Sequence, residues 1–301
     1  MTDDVVAIDL GGTKSVLALV APDNTIKAQV RLETGREARP EAVLADFEEV
    51  IQGFKGRSQG IRAIGLCAPG PLDHEHGVIV NPTNLPHFFN TPLREMLEKR
   101  FALPTVIEHD AKAAALGEFH FGAGKAEQSL IYIVIGTGVG AAIIIHGQLY
   151  RGLKNFAGEF GHTTLDRFGE VCNCGSRGCF ETYMSGPWIA KRYAMLNQEE
   201  ISGAEVVKRA EQGETKALEV LSLAGEALGI AVASMAMNFD IECFVVGGGV
   251  SIAGELLLAP ARKIIPSYSF KSVSSRIKLV SSALREEAAL LGCAFLARQT
   301  F

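Results

Sequence analysis

An α/β protein of two related lobes is the fold class this sequence predicts, and three features predict it. A short apolar run closes on a turn at Gly11 and Gly12 and resumes on the far side. The same design returns about 125 positions later, at Gly136 and Gly138. Elsewhere, apolar runs of strand length alternate with amphipathic stretches of helical period, the pattern of α/β rather than of segregated α+β domains. A repeat at domain spacing implies two lobes, each opening with a hairpin of phosphate size.

Residues 5–9 form the first expected strand, Gly11-Gly12-Thr13-Lys14 its tight turn and residues 16–21 the second strand. Residues 40–54 and 93–100 carry apolar side chains at helical spacing, while 61–67 and 105–108 read as buried strands. An alanine-rich helix covers 110–119. The second hairpin runs from 131–135 through Gly136-Thr137-Gly138-Val139-Gly140 to 141–145. Helices follow over 204–212 and 216–238, then a strand over 242–246 that ends in Gly247-Gly248-Gly249, and a terminal helix over 286–298. No low-complexity linker interrupts the chain, and the boundary is expected between 108 and 118. The first lobe then takes 1–110 with 287–301, and the second takes 111–286.

At 301 residues and 48% hydrophobic, the chain can fill one large core or two medium ones, and two is the better expectation. A net charge of −5 without a basic block gives nucleic-acid binding no electrostatic footing. The opening Met1-Thr2-Asp3-Asp4 is acidic where a secretory signal starts basic. The most apolar window, 130–145, is broken by glycines and too short to span a bilayer, so no membrane partner is expected. Of six cysteines, three cluster, and Cys67, Cys243 and Cys293 sit in apolar surroundings. That is no disulfide framework, and a reducing cytoplasm is expected.

The cluster carries chemistry. Cys172, Cys174 and Cys179 fall within eight residues, ten after His162. Three thiolates and an imidazole fill the tetrahedron of a structural Zn²⁺ and leave no position for water. The plainer alternative is three reduced thiols on a glycine-rich loop. Asp9 ends a buried strand beside Gly11, Gly12, Thr13 and Lys14, whose amides can approach a phosphate closely. Its carboxylate suits Mg²⁺ held through water. One such turn is only a hairpin, and neither a Walker loop nor a dinucleotide fingerprint is present. Two turns, the second being Gly136, Thr137 and Gly138, suit a triphosphate held between two lobes.

The run Gly158-Glu159-Phe160-Gly161-His162, followed by Cys172-Asn173-Cys174-Gly175-Ser176-Arg177-Gly178-Cys179-Phe180-Glu181, resembles the signature of the ROK family (repressors, open reading frames, sugar kinases). The likeness extends over nearly the whole chain, in order. It implies the two-lobed actin-like ATPase (ribonuclease H-like) fold, with both glycine turns as phosphate motifs and Gly247, Gly248 and Gly249 as the adenosine motif. It also implies ATP-dependent phosphorylation of the 6-hydroxyl of a hexose, with glucose first. The same-class alternatives are an N-acetylglucosamine or N-acetylmannosamine kinase, or a fructokinase. Two other classes stay open: a sugar-sensing regulator and a catalytically dead sugar-binding homologue. Family regulators carry a helix-turn-helix segment ahead of the first phosphate strand, which here begins at residue 5, so none is expected.

By the same resemblance, Asp110 is the base that takes the proton from the sugar hydroxyl. From position alone it reads equally well as a helix N-cap. Family kinases usually read Asn-Asp-Ala-Asn-Ala-Ala-Ala here; this chain has His109-Asp110-Ala111-Lys112-Ala113-Ala114-Ala115. Sugar contacts are expected from Asn84, His109, Asp110, Glu159, His162 and Glu181. His162 would bind zinc by one nitrogen and face the sugar with the other. The expected partners are ATP, Mg²⁺, a hexose, a structural zinc ion, and a second or fourth copy of the chain.

Overall fold

The computed structural model describes residues 3–82 and 84–301. Met1, Thr2 and Thr83 lie outside the described residues, and the first half of the acidic N-terminal tetrapeptide lies there with them.

Two compact units form. The first contains residues 3–121, Arg151–Phe156 and Glu286–Phe301. Its sheet is built on β1 (Asp4–Leu10), which pairs antiparallel with β2 (Lys14–Val20), Val5 opposite Val20 and Leu10 opposite Ser15. β3 (Ile26–Glu33) adds an outer antiparallel strand. On the other side of β1, β4 (Ile61–Ala68) and β7 (Thr105–His109) run parallel, giving the order β3-β2-β1-β4-β7. A small hairpin, β5 (Leu72–Asp73) with β6 (Val78–Ile79), follows β4. β1 is a continuous apolar run because both faces are covered. Val6, Ile8 and Leu10 share a core with Val43, Phe47 and Ile51 of α1 (Pro40–Lys55) and Leu97 of α2 (Leu93–Phe101). The opposite face meets the terminal helix α10 (Glu287–Thr300), where Gly65 of β4 lies against the Cys293 backbone. α3 (Asp110–Phe121) packs along α10, with Gly117 and Gly292 letting the two backbones meet.

That packing moves the expected boundary. The sequence suggests a break beside Asp110, whereas α3 stays with the first unit as far as Phe121 because its small-residue stripe is matched to α10. The short return of Arg151–Phe156 to the first unit has no signal in composition.

The second unit contains Gly122–Tyr150 and Ala157–Arg285. Here β8 (Leu130–Ile135), β9 (Val139–Ile145) and β10 (Gln148–Tyr150) are antiparallel, and β11 (Cys243–Gly247) and β12 (Lys278–Ser281) run parallel to β8. The order β10-β9-β8-β11-β12 repeats the first unit's plan strand for strand. The duplication suggested by two glycine hairpins therefore extends through both sheets. Helices α4 (Glu181–Met184), α5 (Gly186–Asn197), α6 (Gly203–Glu211), α7 (Thr215–Phe239), α8 (Glu255–Ile264) and α9 (Lys271–Ser274) complete it. α7 has the length and hydropathy to cross a membrane, but Val220, Leu221, Leu228 and Val232 are fully buried in a core with Phe244 and Leu257. It is a core helix of this unit.

Candidate active site

In the first unit, the parallel strands β1, β4 and β7 end at one edge of the sheet. The register aligns Asp9 with Cys67 and Cys67 with Glu108, so Asp110 emerges one step beyond the same edge. In open α/β sheets this carboxyl edge is where ligands bind. Asp9 accepts a hydrogen bond from the Cys67 thiol at 3.4 Å. Burial, then the neighbouring Asp110 charge, pushes the Asp9 carboxyl up to about 6, against the opposing Cys67 bond and Lys14 charge. A carboxylate under that strain is one a divalent cation would relieve, so the donor set fits Mg²⁺.

The first glycine turn closes with the Gly11 amide on the Lys14 carbonyl at 3.0 Å, while the Thr13 carbonyl takes the Thr34 amide at 2.9 Å. Lys14 reaches Glu286 at 3.3 Å on the surface. Asn84 sits directly on the turn: a Cβ at Gly12 would stand 2.7 Å from the Asn84 Cβ and carbonyl oxygen. Only glycine permits that approach, so turn and Asn84 are positioned together.

Asp110 is the first residue of α3, and its side chain takes the next residue's amide rather than one two or three positions on, so it is not an N-cap of the usual kind. Its Oδ1 accepts the Ala111 amide at 2.6 Å and lies 2.9 Å from His109 Nδ1. Burial raises its pKa, but the His109 charge and hydrogen bond, the Ala111 amide and Lys112 outweigh that and hold it below the ordinary carboxylate range. Behind this pair stands a layer the sequence did not announce. Buried Glu108 accepts the His109 amide at 2.9 Å and Arg151 Nε at 2.7 Å. Buried Lys112 donates to the Asn155 carbonyl at 2.5 Å and to its side-chain oxygen at 2.7 Å. Lys112 thereby ties the returning segment Arg151–Phe156 to α3 within this unit.

In the second unit, the turn of Gly136, Thr137 and Gly138 closes with the Gly136 amide on the Gly138 carbonyl at 2.9 Å, and the Gly186 amide caps the Gly136 carbonyl at 2.8 Å. Glu181, at the start of α4, is buried against it. Its Oε2 accepts the Val139 amide at 3.0 Å and lies 2.7 Å from where a Gly138 Cβ would stand. Its Oε1 accepts the Cys172 thiol at 3.5 Å. Glu159, by contrast, is exposed on a single helical turn shared with His162. Gly248, in the glycine run after β11, has φ +86°, a conformation that excludes most side chains.

His162, Cys172, Cys174 and Cys179 converge, with their ligand atoms all within 4.8 Å of one another. His162 turns Nδ1 to Cys172 Sγ at 3.7 Å, and Cys174 and Cys179 sulfurs are 3.7 Å apart. A tetrahedron with ~2.3 Å Zn–S bonds has edges of ~3.8 Å, so the two 3.7 Å contacts match it and the cluster is compatible with a structural zinc ion. The thiols differ: burial pushes Cys172 up to about 12, whereas at Cys174 the Ser176 amide and neighbouring sulfurs outweigh burial and bring it down to about 7. Cys174 is the ligand most ready to ionise.

The family model described as the ROK family matches residues 5–300. The chain belongs to the ROK family. A glucokinase of Thermotoga maritima is 32% identical over 311 residues, covering 98% of this chain and 97% of the relative. A xylose repressor of Caldicellulosiruptor bescii is 35% identical over 260 residues, covering 82% of this chain and 65% of the repressor. Among solved structures, the ROK family glucokinase of Streptomyces griseus in complex with glucose and AMPPNP superposes with a TM-score of 0.86 at 32% identity, covering 98% of this chain and 99% of that one. This ROK chain therefore has the actin-like ATPase fold that its sequence implied.

Proposed function

We propose that this ROK protein is an ATP-dependent hexose kinase that phosphorylates the 6-hydroxyl of glucose or a close analogue. The observation that carries the reading is Asp110: a carboxylate at the carboxyl edge of the first sheet, ionised, with one oxygen already held by two local donors. Full-length similarity to glucokinases supports the sugar class.

In the reaction, the sugar O6 attacks the γ-phosphorus of ATP, the O6–P bond forms, the bond to the bridging oxygen breaks, and ADP leaves. The O6 proton passes to Asp110. A base of low pKa suits this chemistry, because in a loose transition state the hydroxyl is deprotonated late and orientation matters most. In the first unit, the amides of Gly11, Gly12 and Thr13, with Lys14, suit phosphate oxygens, and Asp9 would hold Mg²⁺. Magnesium, when bound, neutralises charge that develops on the phosphates. In the second unit, Gly136, Thr137 and Gly138 suit phosphate, and Gly247, Gly248 and Gly249 suit the adenosine. Sugar hydroxyls would be read by Asn84, Glu159, His162 and Glu181, since sites built to pair hydroxyls reject sugars that lack them. Zinc on His162, Cys172, Cys174 and Cys179 would be structural, fixing the loop that carries Glu159 and Glu181.

The test is product identity. Incubation with glucose and Mg·ATP should yield glucose 6-phosphate by ³¹P NMR, one equivalent per ADP formed. Phosphate appearing as free orthophosphate alone, or on another hydroxyl, would overturn the reading.

A further inference from the structure

The sequence offered His109 as a sugar contact, yet the ring has a nearer partner. Nδ1 and Asp110 Oδ1 are 2.9 Å apart, and two bare acceptors do not sit at that distance, so a proton lies between them. The Ala111 amide lies 3.3 Å from His109 Nδ1 but only 2.6 Å from Asp110 Oδ1. The amide is shared between the two acceptors with the carboxylate taking the shorter bond, and the 2.9 Å contact pairs the ring with the same Oδ1. We propose that His109 is a positioning residue for Asp110: its Nδ1–H and the Ala111 amide together hold Oδ1, so that Oδ2 is the oxygen presented to the sugar hydroxyl. The proposal rests on Asp110 being the base.

The surroundings leave the ring little choice of pose. Its backbone amide is tied to Glu108 Oε1 at 2.9 Å, and Glu108 is itself fixed by Arg151 Nε at 2.7 Å. The far edge of the ring packs on Gly70, where a Cβ would stand 2.7 Å from Cδ2 and 2.8 Å from Nε2. Any side chain at position 70 would push the imidazole off Asp110. The His109 side chain is 22% exposed and that of Asp110 45%, so the donor is enclosed while the carboxylate remains open to a substrate. Asparagine carries its amide nitrogen two bonds beyond Cβ, as histidine carries Nδ1. An asparagine here can hold Oδ1 in the same way, and the departure from the commoner family residue conserves the donor.

The experiment measures kcat and KM with glucose, mannose and N-acetylglucosamine for the wild-type chain and for His109→Leu, His109→Asn and Asp110→Asn. Loss of one hydrogen bond to a charged group corresponds to roughly tenfold or more. His109→Leu should lower kcat by about that factor for every sugar alike, with KM nearly constant, and His109→Asn should recover most of the loss. Factors that differ between sugars, or a change carried by KM alone, would make His109 a sugar contact and overturn the proposal. An asparagine variant as slow as the leucine variant would also overturn it, since ring bulk and not the N–H would then matter. Should the leucine variant fail to fold, His109→Gln serves the same comparison, because its longer arm carries the N–H past Oδ1. Asp110→Asn separates the two readings: if it keeps its turnover, the base assignment fails whatever His109 does, and if it loses turnover while His109→Leu does not, only the positioning role fails.

Discussion

Glu181 fastens the Val139 amide. The bond, 3.0 Å to Oε2, joins the carboxylate that ends the thiol-rich loop to the strand that leaves the second glycine turn. Because Glu181 is buried and its other oxygen takes the Cys172 thiol, removing it would orphan a buried amide. Glu181→Ala should therefore destabilise the protein by about 1–3 kcal/mol in chemical denaturation. Glu159→Ala, at an exposed carboxylate, should stay within about 0.5 kcal/mol while weakening sugar binding. Equal small losses from both would show that Glu181 is not part of the framework.

The thiol cluster should hold about one zinc per chain, because three thiols and an imidazole already converge to within 4.8 Å of one another. Elemental analysis of the purified protein reads this directly. Cys174→Ser should lower both the zinc content and the melting temperature, since structural metal binding is folding free energy. Full stability without metal, or in that variant, would leave only a glycine-rich loop with reduced thiols.

Asp9 sets a pH dependence whose sign can be worked out. Its pKa rises on folding from 3.8 to about 6, so the folded chain holds that proton more tightly than the unfolded chain. The associated stability is complete below about pH 4 and is lost as the pH climbs through about 6. A cation bound to the ionised carboxylate offsets the loss only where the carboxylate is ionised. Saturating Mg²⁺ should thus raise the melting temperature more at about pH 7.5 than at about pH 5, and Asp9→Asn should remove the difference. A shift that is the same at both pH values, or that survives Asp9→Asn, would take Mg²⁺ away from Asp9.

The fold and the site were not equally legible. Both glycine hairpins can be read because β1 and β8 are apolar runs that close on glycine, and β2 and β9 resume the apolar run beyond each turn. β3 is less conspicuous: Ile26, Ala28, Val30 and Leu32 alternate with Lys27, Gln29, Arg31 and Glu33, the pattern of a half-buried strand but without a continuous apolar run. α8 was hidden by Pro260 within it, and β12 by its four-residue length. The cluster of His162 with Cys172, Cys174 and Cys179 is legible because its spacing is local. The support behind Asp110 is not, since Glu108, Arg151, Lys112 and Asn155 are drawn together from positions more than forty residues apart by one short returning segment. Cys67, in contact with Asp9, reads from sequence only as a cysteine in apolar surroundings.

The most direct test of hexose kinase chemistry is sugar-dependent ADP release from Mg·ATP by the wild-type chain and by Asp110→Asn. Glucose, mannose, fructose, N-acetylglucosamine and N-acetylmannosamine are supplied in turn. An amide keeps the shape of the carboxylate but cannot take the hydroxyl proton, and removing a general base typically costs about 10²-fold or more. The wild type should release ADP only when sugar is present, fastest with glucose or a near analogue. Asp110→Asn should still bind that sugar while turning over about a hundredfold more slowly. ADP release that no sugar stimulates, or an asparagine variant that keeps more than about a tenth of the wild-type rate, would contradict the account.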